Sequence, residues 1–459
     1  MNKQYKDHNQ YIRYLNEYHI ILGINPMKPD VIIIGAGVSG TSASIKMAQE
    51  GLKVVLIDRG LPIGSKNLSG GVLWGNDLAE ILPNWMDDAP IERFIINKKV
   101  GFLSERDATV FDFHFDSWKE KPYPGVSILR ASFDDWLAKQ AQEAGVAVLS
   151  GITVDELVFE DGKVVGVKQG NEELRAPITI IAEGVNPRLL LKHNLTYRKE
   201  ETRYDYPDMM IGLKEVIQLD KSVLEERFLL EDNAGVAGEF ILGNMNDSEV
   251  LAGGFFYTNK ESLSIGVIVH LDSLSSEDRS YEVIEQFKKH PYIKRLLKDG
   301  ISIEYGAKMV PEFGIKKMPD FYGDGYMVIG DAAGFVFSNG LVIQGMNYGI
   351  KSGILAAETA KEAITKSNFS SSTLSLYHKK LKKSYILKDF EKFKNVKKMT
   401  KNKRLFKTYP NAINDGFRNY LTENGEPKEH LIRYMLKSFR SSGAGIFTLI
   451  KDGLGARHL

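Results

Sequence analysis

The run Asp30–Gly40, DVIIIGAGVSG, most tightly limits how this chain can fold. Val31 to Ile34 are four apolar residues in a row and predict a short buried strand. Gly35, Gly37 and Gly40 follow in the spacing GxGxxG, with Ala36, Val38 and Ser39 between them. A helix is predicted to open there and run to about Gln49, closed by Gly51. Lys53–Ile57, KVVLI, predicts a second strand that ends in Asp58, with Arg59 after it. Strand, glycine turn, helix, strand and acid make up the opening unit of a Rossmann-like dinucleotide domain. Gly35 permits the tight turn, Gly37 the approach of a phosphate, and Gly40 the packing of helix on strand. The N–H groups at the helix start can hold a pyrophosphate. Asp58 can accept hydrogen bonds from ribose hydroxyls, and its charge disfavours a 2′-phosphate.

A second glycine turn lies far along the chain, in GYMVIGDAAGF at Gly325–Phe335. Gly330 ends an apolar strand and Asp331 opens the turn. Ala332, Ala333 and Gly334 allow close backbone approach to a phosphate or ribityl chain. Asp331 can bond a ribityl hydroxyl or order the turn. Two clamps on one dinucleotide point to a flavin, FAD, held along its length, and so to redox chemistry. Gly345, Met346 and Asn347 open a predicted helix, whose N-terminus could stabilise negative charge on a reduced flavin ring.

Net charge is +1 over 459 residues, so bulk charge implies no nucleic-acid partner. Charge is nonetheless uneven: residues 361–459 hold 22 Lys and Arg against 8 Asp and Glu. That basic segment is compatible with an anionic lipid, an acidic protein, or simply a solvated helical surface. With no cysteine, the chain cannot itself ligate an iron–sulfur cluster through thiolates or use a thiolate nucleophile. The nine histidines show no metal-ligand spacing, and no metal is assigned. The N-terminal stretch is polar, and its apolar part is too short for a secretory leader or a bilayer span.

The expected architecture is α/β. It divides into an N-terminal extension (1–29), the first part of the FAD-binding domain (30–203), an inserted antiparallel β-sheet domain (204–310), the second part of the FAD-binding domain (311–370) and a basic helical region (371–459). Within it, Ser132 is a plausible N-cap for the helix SFDDWLAKQAQEAG. Asp161–Gly162 reads as a hairpin turn, residues 96–119 as strands outside the nucleotide domain, and Tyr281–Lys289 as a helix. Ile178–Ile181 leads to Glu183–Gly184, another strand end near a nucleotide. MMIGLKEVIQL, EVLAGGFFYTN and SLSIGVIVHL read as strands of the inserted sheet.

Several segments together resemble the FixC group of flavoproteins, which are related to electron-transfer-flavoprotein:quinone oxidoreductase. They are DVIIIGAGVSGTSASIKMAQEGLKVVLIDRG, GSKNLSGGVLWG, the stretch Ala89–Arg93, LRASFDDWLAKQA, GDAAGF and GMNYGIKSGILAAE. The resemblance spans roughly residues 30–400 and the tail. It implies a glutathione-reductase-type, three-layer FAD domain with non-covalent FAD. Electrons would come from the α and β subunits of an electron-transfer flavoprotein and leave to a membrane quinone. Larger members of the family carry a [4Fe–4S] cluster on cysteines. This chain lacks them, so any such centre would sit on a separate small ferredoxin-like iron–sulfur protein. The resemblance also places Ser69, Gly70 and Gly71 by the isoalloxazine, Arg130 on the adenine or ribose side, and Gly345, Met346 and Asn347 beside the ring. The Gly254–Asn259 stretch is one candidate wall for the quinone, with ordinary sheet core as the other reading. Membrane contact would be monotopic, peripheral on the cytoplasmic face. Leu431–Gly453 could supply it, or could pack on the body or meet the iron–sulfur partner. A geranylgeranyl-type reductase, saturating isoprenoid double bonds, shares the fold and the GDAAG turn. A flavin monooxygenase and a non-enzymatic flavin-binding module complete the alternatives.

Overall fold

The computed structural model describes residues 28–67, 69–195, 209–243, 250–312 and 314–456. Nearly all of the expected N-terminal extension, and the expected boundary at 203/204, lie outside the described residues.

Six strands form the nucleotide sheet, in the order Tyr322–Gly323, Tyr326–Val328, Ile178–Ile181, Val31–Ile34, Val54–Asp58 and Ala147–Ser150. All but the two-residue edge pair in parallel. Parallel strands are covered on both faces, which explains why Val31, Ile32 and Ile33 can be apolar without alternation and wholly buried. Helix Val38–Gln49 packs against Met346–Thr365 and Arg130–Glu143. The first of these crossings is close: a Cβ on Gly353 would overlap the carbonyl of Ser39. A three-stranded antiparallel sheet, Glu156–Glu160, Lys163–Gln169 and Glu172–Arg175, joins the same core. Its first turn is the expected hairpin, with Asp161 at φ 48° and Gly162 at φ 77°.

The second sheet has nine strands. Its path runs Ile301–Pro311, Met209–Gln218, Ser262–His270, Ala252–Thr258, Ala234–Leu242, Ile91–Leu103, Gly125–Leu129 and Gly70–Trp74, with Ala108–His114 paired to Ile91–Leu103. Four of these strands precede residue 130, so this sheet is not built from 204–310 alone. The chain leaves the nucleotide domain after Arg59, lays these strands, and returns through Arg130–Glu143. Ile91–Leu103 is the junction, parallel to Ala234–Leu242 and antiparallel to its other partners. Arg93, fully buried there, donates from Nε to Asn259 O at 2.7 Å and from Nη1 to Ala234 O at 3.0 Å. One guanidinium from the early strands thereby satisfies carbonyls of the later strands across the junction. Helix Ser280–Lys289 places Ile284 and Phe287 in the core of this sheet.

Ser132 is not an N-cap. Helix Arg130–Glu143 starts three residues earlier than a Ser132 cap would allow, after Leu129, because the Arg130 amide donates to Ser69 O at 2.7 Å and ties the helix start to the neighbouring strand. From Ser371 onward the described chain is helical, ending in Leu431–Ser441 and Ile446–Ala456. Among the described residues, no helix is long and apolar enough to cross a membrane.

Candidate functional site

The two glycine motifs, distant in sequence, abut in space. Ala182 N–H donates to Ile34 O at 2.9 Å and Ile329 N–H to Ile181 O at 3.0 Å, so the strand ends at 34, 181 and 328 lie side by side. Gly330 has φ 63°, and a Cβ there would come within 2.5 Å of Ser39 Oγ. Gly35, at φ 105°, faces the Ala182 carbonyl, which a Cβ would overlap. A Cβ on Gly40 would likewise overlap the Gly35 carbonyl. These positions exclude side chains for packing reasons.

Gly37 differs. A Cβ there would meet only Arg130 Nη2, at 3.8 Å, and would otherwise project into open space. That space is a cavity of about 640 Å³ lined by Gly35, Gly37, Val38, Ser39, Asp58, Arg59, Gly70, Gly71, Arg130, Gly184, Asp331, Gly345, Met346 and Asn347. Ala36, Gly40, Ser69, Gly330, Ala332 and Gly334, also expected at the site, are buried and do not line this cavity. The N-terminus of Val38–Gln49 has no side-chain cap, leaving its first N–H groups free for an anion. Asp58 holds the turn: Oδ2 accepts from Ala36 N–H at 2.7 Å and Oδ1 from Gly60 N–H at 2.6 Å. Arg130 is gripped by buried Asp134, which accepts from Nε and Nη2 at 2.8 Å each. Burial alone would lower the Arg130 pKa, but the Asp134 charge and hydrogen bonds raise it above its ordinary value. An uncapped helix start, a glycine opening and an aimed guanidinium fit the pyrophosphate of FAD.

Farther along the cavity, Gly70 and Gly71 begin the strand Gly70–Trp74. A Cβ on Gly71 would lie 3.0 Å from Met346 Cε, so the strand passes directly under the start of Met346–Thr365. Ser69 is buried with φ 41°, a left-handed backbone that is rare outside glycine. Its N–H donates to Glu304 Oε1 at 2.8 Å. Asn347 is anchored from behind, where its carbonyl accepts from Tyr385 Oη at 3.2 Å and its Nδ2 donates to Gln344 Oε1 at 3.1 Å. The opposite wall comes from the second sheet and includes Gly254, Phe255, Phe256 and Tyr257. Burial pushes the Tyr257 hydroxyl up to about 12, so it stays protonated.

Glu183, marked in the sequence only as a strand end near a nucleotide, lines this cavity with Lys214 and Lys308, which were not singled out, and neither was Glu304, which holds the Ser69 turn. Burial, with the nearby Arg130 and Lys308 charges, pushes Lys214 down to about 8. Burial lowers Lys308 as well. Glu183 is pushed up to about 7 by burial, against the hydrogen bonds it accepts from Leu189 and Leu190 N–H. The Lys214 signal was present: a cation in the middle of the apolar strand MMIGLKEVIQL. Glu304 and Lys308 sit on an edge strand whose pattern carries no such mark.

Residues 30–184 match the FAD dependent oxidoreductase family model. Together with the paired clamps and the cavity between two sheets, this makes the protein a flavin oxidoreductase that binds FAD. Residues 209–310 match the model described as ETF-QO, ubiquinone-binding, and residues 396–458 the ETF-QO/FixC family C-terminal domain. The chain is 37% identical to Protein FixC of Escherichia coli (strain K12) over 426 residues, covering 93% of this chain and 97% of that one. It is 36% identical over 428 residues to the probable electron transfer flavoprotein-quinone oxidoreductase YdiS of the same strain, covering 93% and 98%. The chain belongs to the ETF-QO/FixC family. Among solved structures, a geranylgeranyl bacteriochlorophyll reductase-like protein from Thermoplasma acidophilum shares the fold, with TM-score 0.68, 21% identity and coverage of 93% and 99%. The flavin-dependent brominase Bmp2 follows at TM-score 0.62 and 18% identity, covering 94% and 99%.

Proposed function

We propose that this protein passes electrons from an electron-transfer flavoprotein, through FAD, to a membrane quinone. One observation carries the reading. The strands matched by the ubiquinone-binding model supply an apolar wall, Phe255 and Tyr257, to the same cavity that the Gly70–Gly71 strand and the FAD clamps line. A quinone on that wall would share this cavity with the flavin. YdiS, similar along nearly its whole length, is named for the same reaction class.

Bound FAD supplies the redox step. The chain's own residues bind, orient and shield. The Val38 helix start and Arg130 hold the pyrophosphate, with Gly37 opening the approach. Asp58 receives the ribose hydroxyls, and Arg59 closes the adenosine end beside Gly184. Asp331 holds the ribityl side, on a turn built by Gly330, Ala332 and Gly334. Gly70 and Gly71 would line one side of the ring, with Ser69 shaping the turn before them, and Gly345, Met346 and Asn347 would bring a helix N-terminus to it. With no cysteine in this chain, any iron–sulfur centre of the relay would sit on a separate ferredoxin-like subunit.

Access to a membrane quinone requires a lipid-facing surface. The last helices supply one: Ile432, Phe447 and Ile450 are exposed, with Arg433, Lys437, Arg440 and Lys451 among them. The decisive assay mixes the purified protein with reduced electron-transfer flavoprotein and a short-chain quinone analogue. Steady quinone reduction that depends on both is expected. Saturation of an isoprenoid lipid, with no electron-transfer-flavoprotein-dependent quinone reduction, would replace this reading with the geranylgeranyl-reductase one.

A further inference from the structure

Two lysines from the second sheet, Lys214 and Lys308, reach into the cavity without a carboxylate in ion-pair contact among the described residues. They lie on the neighbouring antiparallel strands Met209–Gln218 and Ile301–Pro311, where Gly212 pairs with Lys308 and Lys214 with Gly306. Their side chains therefore project from one face of the sheet, with Met210 and Val310, and all four line the cavity. Both lysines are surrounded by protein yet remain partly accessible, as expected of groups that open onto an internal space.

Their surroundings differ. Lys308 feels Asp331, Arg130 and Asp134, at the pyrophosphate and ribityl end, and Arg59, at the adenosine end. Lys214 shares the Arg130 charge and feels Lys308, but it donates to Gly70 O at 2.9 Å and lies 5.6 Å from the Phe255 ring centroid. It is thus placed at the strand that passes under Met346. With adenosine at Asp58 and pyrophosphate at Gly37, the flavin ring falls at this far end. A buried cation and an uncapped helix N-terminus, both positive, converge there.

We propose that Lys214 is the charge that sets the electron affinity of the bound flavin, whereas Lys308 serves to retain the FAD. An ammonium in a site shielded from water stabilises the negative charge that reduction adds, and so raises the reduction potential. The inference rests on the ring end assigned under the proposed function. It does not depend on which donor or acceptor the enzyme uses.

The test is spectroelectrochemical titration of the purified, full-length holoprotein, with FAD content measured on the same samples. Lys214→Gln removes the charge but can still donate towards Gly70, and Lys214→Arg keeps both. The Gln variant is expected to hold FAD at wild-type stoichiometry, with its midpoint potential lowered by at least a tenfold change in the redox equilibrium, about 30 mV for a two-electron couple. The Arg variant is expected to stay near wild type. Lys308→Gln is expected to show the reverse pattern, with FAD lost more readily and the potential little changed. An unchanged potential in flavin-replete Lys214→Gln would overturn the proposal, as would loss of FAD from Lys214→Gln and Lys214→Met alike. Failure of electron-transfer-flavoprotein-dependent quinone reduction beside a lowered Lys214→Gln potential would reject the proposed function and leave this inference standing.

Discussion

The backbone N–H of Ser69 donates to the Glu304 carboxylate at 2.8 Å, joining residues 235 positions apart. Ser69 sits where the chain leaves the nucleotide loop for the strand Gly70–Trp74, and Glu304 sits on the outermost strand of the second sheet. The bond pins a left-handed residue in a turn that shapes the ring end of the cleft. Glu304→Ala is expected to free that turn and weaken FAD binding. Hydrogen bonds to charged groups contribute about 1.5–3 kcal/mol, and the exposure of Glu304 reduces this to roughly 1 kcal/mol, or about fivefold in FAD affinity. Flavin-fluorescence titration of apoprotein measures it. Glu304→Gln should recover most of the loss, because an amide oxygen still accepts. Equal affinity in Glu304→Ala and wild type would deny the turn any part in holding FAD.

Gly37 and Gly40 belong to one motif but should fail in different ways. A Cβ at Gly37 meets only a flexible guanidinium, so Gly37→Val should fold with little loss of stability. Its side chain occupies the space that admits the pyrophosphate, and FAD affinity should fall by about a hundredfold or more, near 3 kcal/mol. A Cβ at Gly40 overlaps a backbone carbonyl that cannot move without the strand. Gly40→Ala should therefore lower the melting temperature of the apoprotein itself. Melts of the two apoproteins, beside their FAD titrations, separate the effects. A folded, FAD-replete Gly37→Val would refute the assignment of that opening.

The difference between these glycines was legible in the sequence, because the Rossmann unit is local. Spacing, strand run and terminal acid all fall within thirty residues, and helix Val38–Gln49 and strand Val54–Asp58 lie within a residue of expectation. The GDAAG turn and the Met346 helix start were legible for the same reason. The second sheet was only half legible. Residues 96–119 and three later segments read as strands, but Gly70–Trp74, read as loop, Gly125–Leu129 and Ala234–Leu242 did not, and the pairing of Ile91–Leu103 with Ala234–Leu242 is set by long-range burial, which no local pattern encodes. Arg93 shows the same limit. It stood in a stretch noted for its resemblance, yet its work of satisfying carbonyls across the sheet appears only once Asn259 and Ala234 are beside it. Lys214, Glu304 and Lys308 acquire meaning by the same route, from the strands they face.

The C-terminal helices yield a prediction about location. Phe447 is 85% exposed and Ile450 55%, more than folding alone explains for two large apolar residues on one helix. Burying such a side chain contributes about 1.5–3 kcal/mol. The double variant Phe447→Ser, Ile450→Ser should lose roughly 3 kcal/mol of membrane affinity, about a hundredfold in partition to vesicles containing anionic lipid. Activity with a water-soluble electron acceptor should be unaffected. Neutralising Lys437 and Lys451 should weaken binding further, by about 1 kcal/mol each at low salt and less at high salt. Sedimentation with vesicles reads both effects. Equal partition of double variant and wild type would assign the face to a protein contact instead.

Glu183 makes stability depend on pH in a stated direction. Its ordinary value is 4.5, and burial raises it to about 7 even though the Leu189 and Leu190 amides and Arg188 pull it down. In the unfolded chain the carboxyl ionises near 4.5; in the folded protein it keeps its proton to near 7. Between those values the folded state binds the extra proton, so the contribution is fully present below pH 4.5 and is lost as pH rises through 7. At about 1.4 kcal/mol per pH unit, the total is of order 3 kcal/mol. Glu183→Gln has no proton to lose, and its amide oxygen can still accept from Leu189 and Leu190. Chemical denaturation at pH 5 should therefore find the two proteins similar, and at pH 8 should find the Gln variant more stable. FAD must be absent from both samples, because Glu183 lines the cavity and bound cofactor would add its own linkage. Parallel stability curves across this range would show that Glu183 is ionised in the folded protein well below pH 7.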